Sequence, residues 1–205
     1  MVQTPAPAFR RNIQGLLRTA ARPVDKFGHQ PRLYALTLLV GEGSVYDDDV
    51  VFAASYLHDL GVFIGCRPED PEQLSHWDHV AYTIENAPHL LVDAGFPAGK
   101  IHRVLDAIRT HQPHDKPGTL EATILRDADI LEQLGAVGIL RAVAKTGRDT
   151  RYSTFTPVIA FLRKNLRDLP AAIQLPTTRT LAEPRIALLE TFLVGVEAEA
   201  PGGLY

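Results

Sequence analysis

The apolar positions of the chain recur at helical spacing over most of its length. Phe9, Ile13, Leu16, Leu17 and Ala20 fall on one face of a helix over 9–20, which Arg22-Pro23 ends. A second helix is expected over 26–41, with Asp25 as its N-cap, His29 in its first turns, and Leu33, Leu36, Leu39 and Val40 behind it. After the turn Gly41-Glu42-Gly43-Ser44, the acids Asp47-Asp48-Asp49 open a third helix at its positive end. That helix carries the apolar run Val50-Val51-Phe52-Ala53-Ala54 and ends in Tyr56-Leu57-His58-Asp59-Leu60-Gly61. Residues 61–75, with Gly65, Pro68 and Pro71 among charges, read as a loop. Helix is then expected over 77–94 with a break at Pro88, and again along Ile101, Val104, Leu105 and Ile108, closed by His111. A loop over 112–118 leads to a helix with Ala122, Leu125, Ala128 and Leu131 on one stripe, ending at Leu134-Gly135. A short helix over 137–144 and two amphipathic helices over 157–169 and 184–199 complete the chain.

No strand pair, internal repeat or low-complexity tract interrupts this pattern, so the expected class is all-α. The organisation read from it is a tail and first helix over 1–24, a helical domain over 25–148, and a helical extension over 149–205 packed on that domain. At 205 residues the chain is long enough to bury a sizeable core. A formal net charge of −3 gives no basic footprint and argues against nucleic-acid binding by charge. The single cysteine, Cys66, excludes an intramolecular disulfide and fits a reducing compartment. The apolar runs are too short to span a bilayer, and residues 2–8 are Pro- and Ala-rich without a secretory apolar core. The expectation is a cytoplasmic protein with no membrane partner.

Composition changes the picture at one point: eight histidines, several placed where apolar helices end. Buried His and Asp cost free energy unless compensated, and a divalent cation is one compensator. By itself the His58-Asp59 pair could be a polar helix end stopped by Gly61. In company it means more. His29 lies on the second helix, His58 and Asp59 on the third, His79 on the fourth, His111 on the fifth, and Asp127 and Asp129 on the sixth. Helix bundles build metal sites in this way, from inward side chains on several helices.

The order of His29, then His58-Asp59, then an Asp late in Arg126-Asp127-Ala128-Asp129-Ile130-Leu131 resembles the HD superfamily of metal-dependent phosphohydrolases. Flanking segments match too: His29-Gln30-Pro31-Arg32-Leu33, Leu57-His58-Asp59-Leu60-Gly61, Ile108-Arg109-Thr110-His111, and the run from Glu121 through Leu134-Gly135-Ala136 to Gly138-Ile139. The similarity covers roughly residues 26–145 and is closest to the small bacterial members. Two positions depart from it. Ile130 stands where Arg often follows the late Asp, and Val62-Phe63-Ile64 stands where some nucleotidases carry an acid/base Glu.

The resemblance implies an HD-domain helical bundle whose metal ligands are His29, His58, Asp59 and Asp129. Helical periodicity favours Asp127 as the inward acid, whereas the aligned motif favours Asp129. The motif is the more specific of the two, and it leaves Asp127 to orient a ligand or accept a hydrogen bond. Asp59, with His58, is the candidate catalytic group, accepting a proton from the water that attacks phosphorus. His79 and His111 are candidate ligands for a second metal or contacts to substrate phosphate. Arg32, one turn after His29, is the favoured phosphate clamp among Arg32, Lys116, Arg141, Lys145, Arg148 and Arg151.

The implied activity is hydrolysis of a phosphate ester or anhydride in a nucleotide or other small phosphorylated metabolite. One divalent ion of Mn, Fe, Ni, Co or Zn is expected, with two as the alternative. A rival reading takes all six groups, His29, His58, Asp59, His79, His111 and Asp129, as ligands of a di-iron oxygenase that cleaves a C–C or C–P bond. A third keeps the fold as a non-catalytic nucleotide-binding module. The C-terminal apolar face, Leu188, Leu189, Phe192, Leu193 and Val196, is available for internal packing or a homodimer seam.

Overall fold

The computed structural model describes residues 7–22, 24–147 and 152–202. Among these residues the regular structure is helical, and no β-strand is present. The chain divides into two compact units, Met1–Arg126 and Asp127–Tyr205.

In the first unit, α1 (Ala8–Ala20), α2 (His29–Val40), α5 (His79–Asp93) and α6 (Ile101–Arg109) all pack against α3 (Asp48–Leu57). Every residue of α3 from Val50 to Leu57 is buried. A helix buried on all sides has no polar face, so its apolar run is continuous rather than periodic. Polar groups can leave such a helix only at its ends. At its start, Asp47, Asp48 and Asp49 meet cations from two neighbouring helices. Arg10 of α1 donates to Asp48 and Asp49 at 2.7 Å each, while its guanidinium sits 4.7 Å from the Phe52 ring centre. Lys100 pairs with Asp47 and Asp49, and Arg103 with Asp47 and Glu121. Burial raises the Asp49 carboxyl, but its hydrogen bonds from Arg10 and Lys100 outweigh burial and hold it below the usual carboxylate range. These pairs fix the start of α3 and so the direction in which its other end points.

Several boundaries differ from the sequence reading. The segment Val24–Gly28 is a 3₁₀ turn, and α2 begins only at His29. Pro31 lies in its first turn, where a missing N–H costs nothing. The expected loop over 61–75 contains a 3₁₀ turn, Leu60–Val62, and a short helix, α4 (Pro71–Ser75). Its signal was present: Asp70 caps Gln73 N–H, and Pro71 occupies the first helical position. Helix α5 runs through Pro88 without the expected break.

The second unit contains the later part of α7 (Leu120–Gln133), with α8 (Gly135–Val143), α9 (Phe155–Ala172) and α10 (Pro176–Glu199). Helices α8, α9 and α10 pack on one another, burying Ile139, Val158, Leu162, Leu169, Leu189 and Leu193. Helix α10 starts eight residues before the expected Pro184, at Pro176, because Pro176 is the proline in the first turn and Pro184 lies inside the helix. Of its apolar face, Leu189 and Leu193 point inward, whereas Leu188 is 44% exposed. No helix of the described residues is long and apolar enough to cross a membrane.

Candidate metal centre

The buried end of α3 delivers the first two groups. His58 is the C-cap, still in helical conformation, and is 1% exposed. Asp59 leaves the helix (φ −101°, ψ 18°), which turns its side chain away from the helical path. The His58 ring is oriented by its own helix. Its Nδ1 lies 3.0 Å from the Ser55 carbonyl, so Nδ1–H donates there and the Nε2 lone pair faces the opposite way. That lone pair meets His29 Nε2 at 3.1 Å. His29 is the first residue of α2 and is also buried. Asp59 Oδ2 stands 3.6 Å from His58 Nε2 and 3.7 Å from His29 Nε2.

Three donor atoms from two helices therefore converge, all within 4.8 Å of one another. Ligand atoms about 2.1 Å from a shared cation and at right angles to one another lie about 3 Å apart. The spacing of the two ring nitrogens fits that geometry. The donor set, two imidazoles and a carboxylate, suits Mn, Fe, Co, Ni or Zn. Burial pushes the Asp59 carboxyl up, but His58, His29, His111 and His79 around it outweigh burial and hold it far below the usual carboxylate range. A carboxylate kept ionised among imidazoles suits a cation.

A second group shares Asp59. His79, the first residue of α5, has Nε2 3.9 Å from Asp59 Oδ1. His111, just beyond α6, is 1% exposed, and its Nδ1 lies 2.7 Å from the Ile108 carbonyl. The same helix-end device that aims His58 thus aims His111. Asp59, His79 and His111 also bring one donor atom each to within 4.8 Å of the others. The two oxygens of Asp59 face different imidazoles: Oδ2 the His29–His58 side, Oδ1 the His79 side.

Sequence reasoning missed Gln112. Its Nε2 lies 3.2 Å from His79 Nε2 and 3.1 Å from His111 Nε2. The available signal was only its position directly after His111 in a Pro-containing loop.

Helix α7 separates the roles of its two acids. Asp127 is fully buried and accepts from Gln174 N–H at 3.2 Å and from Leu175 N–H at 2.8 Å. It thereby ties down the connection between α9 and α10, and its carboxylate is committed to backbone donors. Asp129 is half-buried, and Gln133 Nε2 donates to its Oδ2 at 3.0 Å. Helical periodicity placed Asp127 inward, and it is the more deeply buried of the two acids, on a helix buried from Glu121 through Ala128 and again from Ile130 through Glu132. Asp127→Ala leaves two backbone N–H groups without their acceptor. We expect it to lower unfolding free energy by about 1–3 kcal/mol in denaturant titration; an unchanged midpoint would show that Asp127 does not brace this connection.

The other candidates are placed as follows. Arg32 is exposed on α2, with its Nη1 folded back over Gly28, beside His29 in the chain. Arg141 pairs with the buried Glu132 and is not available as a phosphate clamp. Arg148 and Arg151 lie outside the described residues. The Trp77 and Tyr82 ring centres lie 5.4 Å apart, and Trp77 Nε1–H donates to the Gly61 carbonyl, so Trp77 braces the turn after Asp59. His76, His89, His102 and His114 are exposed.

No family model matches the chain. An uncharacterised Bacillus subtilis protein, YpgQ, is 27% identical over 96% of this chain and 94% of its own length. The crystal structure of YpgQ superposes with a TM-score of 0.72 at 25% identity, covering 95% of this chain and 96% of that one. YpgQ has also been crystallised with ADP, and that structure matches with a TM-score of 0.69 at 26% identity over 94% of this chain and 98% of the other. A predicted HD superfamily hydrolase from an uncultured Thermotogales bacterium matches with a TM-score of 0.62 at 25% identity over 92% and 91% of the two chains.

Proposed function

We propose, on the premise that this is an HD-superfamily protein in fold and motif order, that it is a metal-dependent phosphohydrolase acting on a nucleotide or other small phosphorylated metabolite. The observation that carries the proposal is the convergence of His29 Nε2, His58 Nε2 and Asp59 Oδ2 from the ends of α2 and α3. The ADP complex of YpgQ supports a nucleotide as the substrate class.

In this reading His29, His58 and Asp59 hold one divalent ion, with Asp129 as a fourth ligand on the strength of the motif order. The ion would supply Lewis acidity, lowering the pKa of bound water from 15.7 to about 7. The chain's own groups do the rest. Asp59, kept ionised by the imidazoles around it, accepts the proton of the attacking water. His79 and His111 face the same carboxylate and line the side of the site where Gln112 lies. Arg32, at the entry to α2, supplies a guanidinium for an outer phosphate. The Ser55 and Ile108 carbonyls keep the His58 and His111 rings in a fixed tautomer, so that no reorientation is needed when substrate enters.

The test is a panel of nucleoside phosphates and small phosphate esters, assayed with Mn, Fe, Co, Ni, Zn and Mg in turn. Phosphate or pyrophosphate release that requires one of these ions supports the reading. Metal-loaded protein that binds a nucleotide but turns over no member of the panel would make it a binding module instead. Asp129→Ala is expected to lower bound metal by at least about tenfold while leaving the unfolding midpoint near that of the parent protein, opposite to Asp127→Ala. Unchanged metal content in Asp129→Ala would remove it from the ligand set.

A second reading, a di-iron oxygenase, is favoured by one observation: the Asp59–His79–His111 group next to the first. Iron-dependent oxygen consumption without phosphate release would select it.

A further inference from the structure

The two groups of donors differ in what already occupies their lone pairs. In neutral His111 the Nδ1 proton is committed to the Ile108 carbonyl, so the Nε2 atom carries the lone pair. Gln112 Nε2 lies 3.1 Å from that atom and 3.2 Å from His79 Nε2. A primary amide nitrogen has two hydrogens, and here each has one imidazole to donate to. The lone pairs that a second cation would need are thus taken by one side chain.

Gln112 is itself held in place. Its backbone N–H donates to Asp115 Oδ2 at 3.0 Å. Its carbonyl accepts from Arg126 Nε at 3.1 Å, and Arg126 also donates to the neighbouring Pro113 carbonyl. Arg126 is 3% exposed, so the segment carrying Gln112 is clamped from beneath by a buried guanidinium. The amide is built into the site and is not a surface side chain that happens to reach it.

We infer that Gln112 is a positioning residue that sets the metal count. By donating to His79 and His111, it orients both imidazoles and occupies their Nε2 lone pairs, and leaves His29, His58 and Asp59 to hold a single tight ion. A second ion has to displace the amide from both rings before it can bind. This inference rests on the metal site proposed above.

The test is Mn²⁺ binding to the full-length chain, read by calorimetry and by elemental analysis after dialysis, for the parent protein, Gln112→Ala and Gln112→Glu. Circular dichroism establishes that each variant is folded. The parent should bind one ion tightly and a second at least about tenfold more weakly, as expected for breaking two neutral hydrogen bonds. Gln112→Ala should strengthen the second ion by roughly tenfold with little change in the first. Gln112→Glu, which replaces the donor with a carboxylate, should strengthen it further and raise retained metal from one ion to two. If one variant does not fold, the other decides. Two ions of equal affinity in the parent, or an unchanged second affinity in a folded variant, overturns the role of Gln112 and leaves the proposed activity standing. A parent protein that binds no Mn²⁺ or any other first-row divalent ion overturns both.

Discussion

His58→Ala is expected to remove bound metal and turnover together, with a loss in kcat/KM of at least about a hundredfold. The effect is large because His58 makes the two shortest contacts of the first donor group: 3.1 Å to His29 Nε2 and 3.6 Å to Asp59 Oδ2. No neighbour can replace it, since its ring is aimed by the Ser55 carbonyl one turn back on a helix buried on every side. Asp59→Asn is the companion variant. It keeps the shape of the side chain and removes the charge that four imidazoles surround. Metal content measured by elemental analysis should fall in both, alongside activity on whichever substrate the panel identifies. Either variant retaining full metal content and full activity would mean that the pair is a helix terminus and nothing more.

Gly61→Ala is expected to be the most damaging change of a single methyl group near the site. A Cβ at this position would lie 2.5 Å from the His79 carbonyl oxygen and 2.9 Å from its Cα. Both are backbone atoms and cannot swing aside, so the start of α5 must move. Gly61 also donates its N–H to Thr83 Oγ1 of α5 at 3.2 Å and its carbonyl accepts from Trp77 Nε1, just before that helix, at 2.8 Å, so both bonds tie this segment to the turn. Overpacking of this kind costs about 1–3 kcal/mol. Because His79 is the residue displaced, catalysis should suffer more than stability, with a loss on the order of a hundredfold for a shift of about 1 Å. Urea denaturation and kcat/KM measured on the same preparation test both halves. A variant as stable and as active as the parent would show that α5 can slide without consequence. The glycine ends no helix here; it is required by the close approach of two backbones.

How much of this could be read from the chain depends on whether a residue's role is local. His29, His58 and Asp59 were picked out by their order along the chain, although the start of the helix that carries His29 was placed three residues early. The aim of the rings was not legible, because it depends on carbonyl contacts within a turn. Helix α4 was missed although Asp70-Pro71 announced it, since the surrounding glycine, prolines and charges outweighed a five-residue signal. The start of α10 was set at the wrong proline, because Pro176 and Pro184 carry the same local signature and differ only in where they sit along the helix.

The acids of α7 mark the boundary between the two kinds of information. The sequence by itself determined the helical class, the succession of the longer helices, and the order of His, His-Asp and Asp along them. Those follow from the spacing of apolar positions and from motif order, which are properties of neighbours in the chain. Only the tertiary structure decided that Asp127 is spent on the Gln174 and Leu175 amides, that Gly61 must lack a side chain because of His79, and that Gln112 faces two imidazoles. Each of these depends on which distant backbone or ring comes within hydrogen-bonding or van der Waals reach. Packing sets that distance, and no periodicity along the chain encodes it.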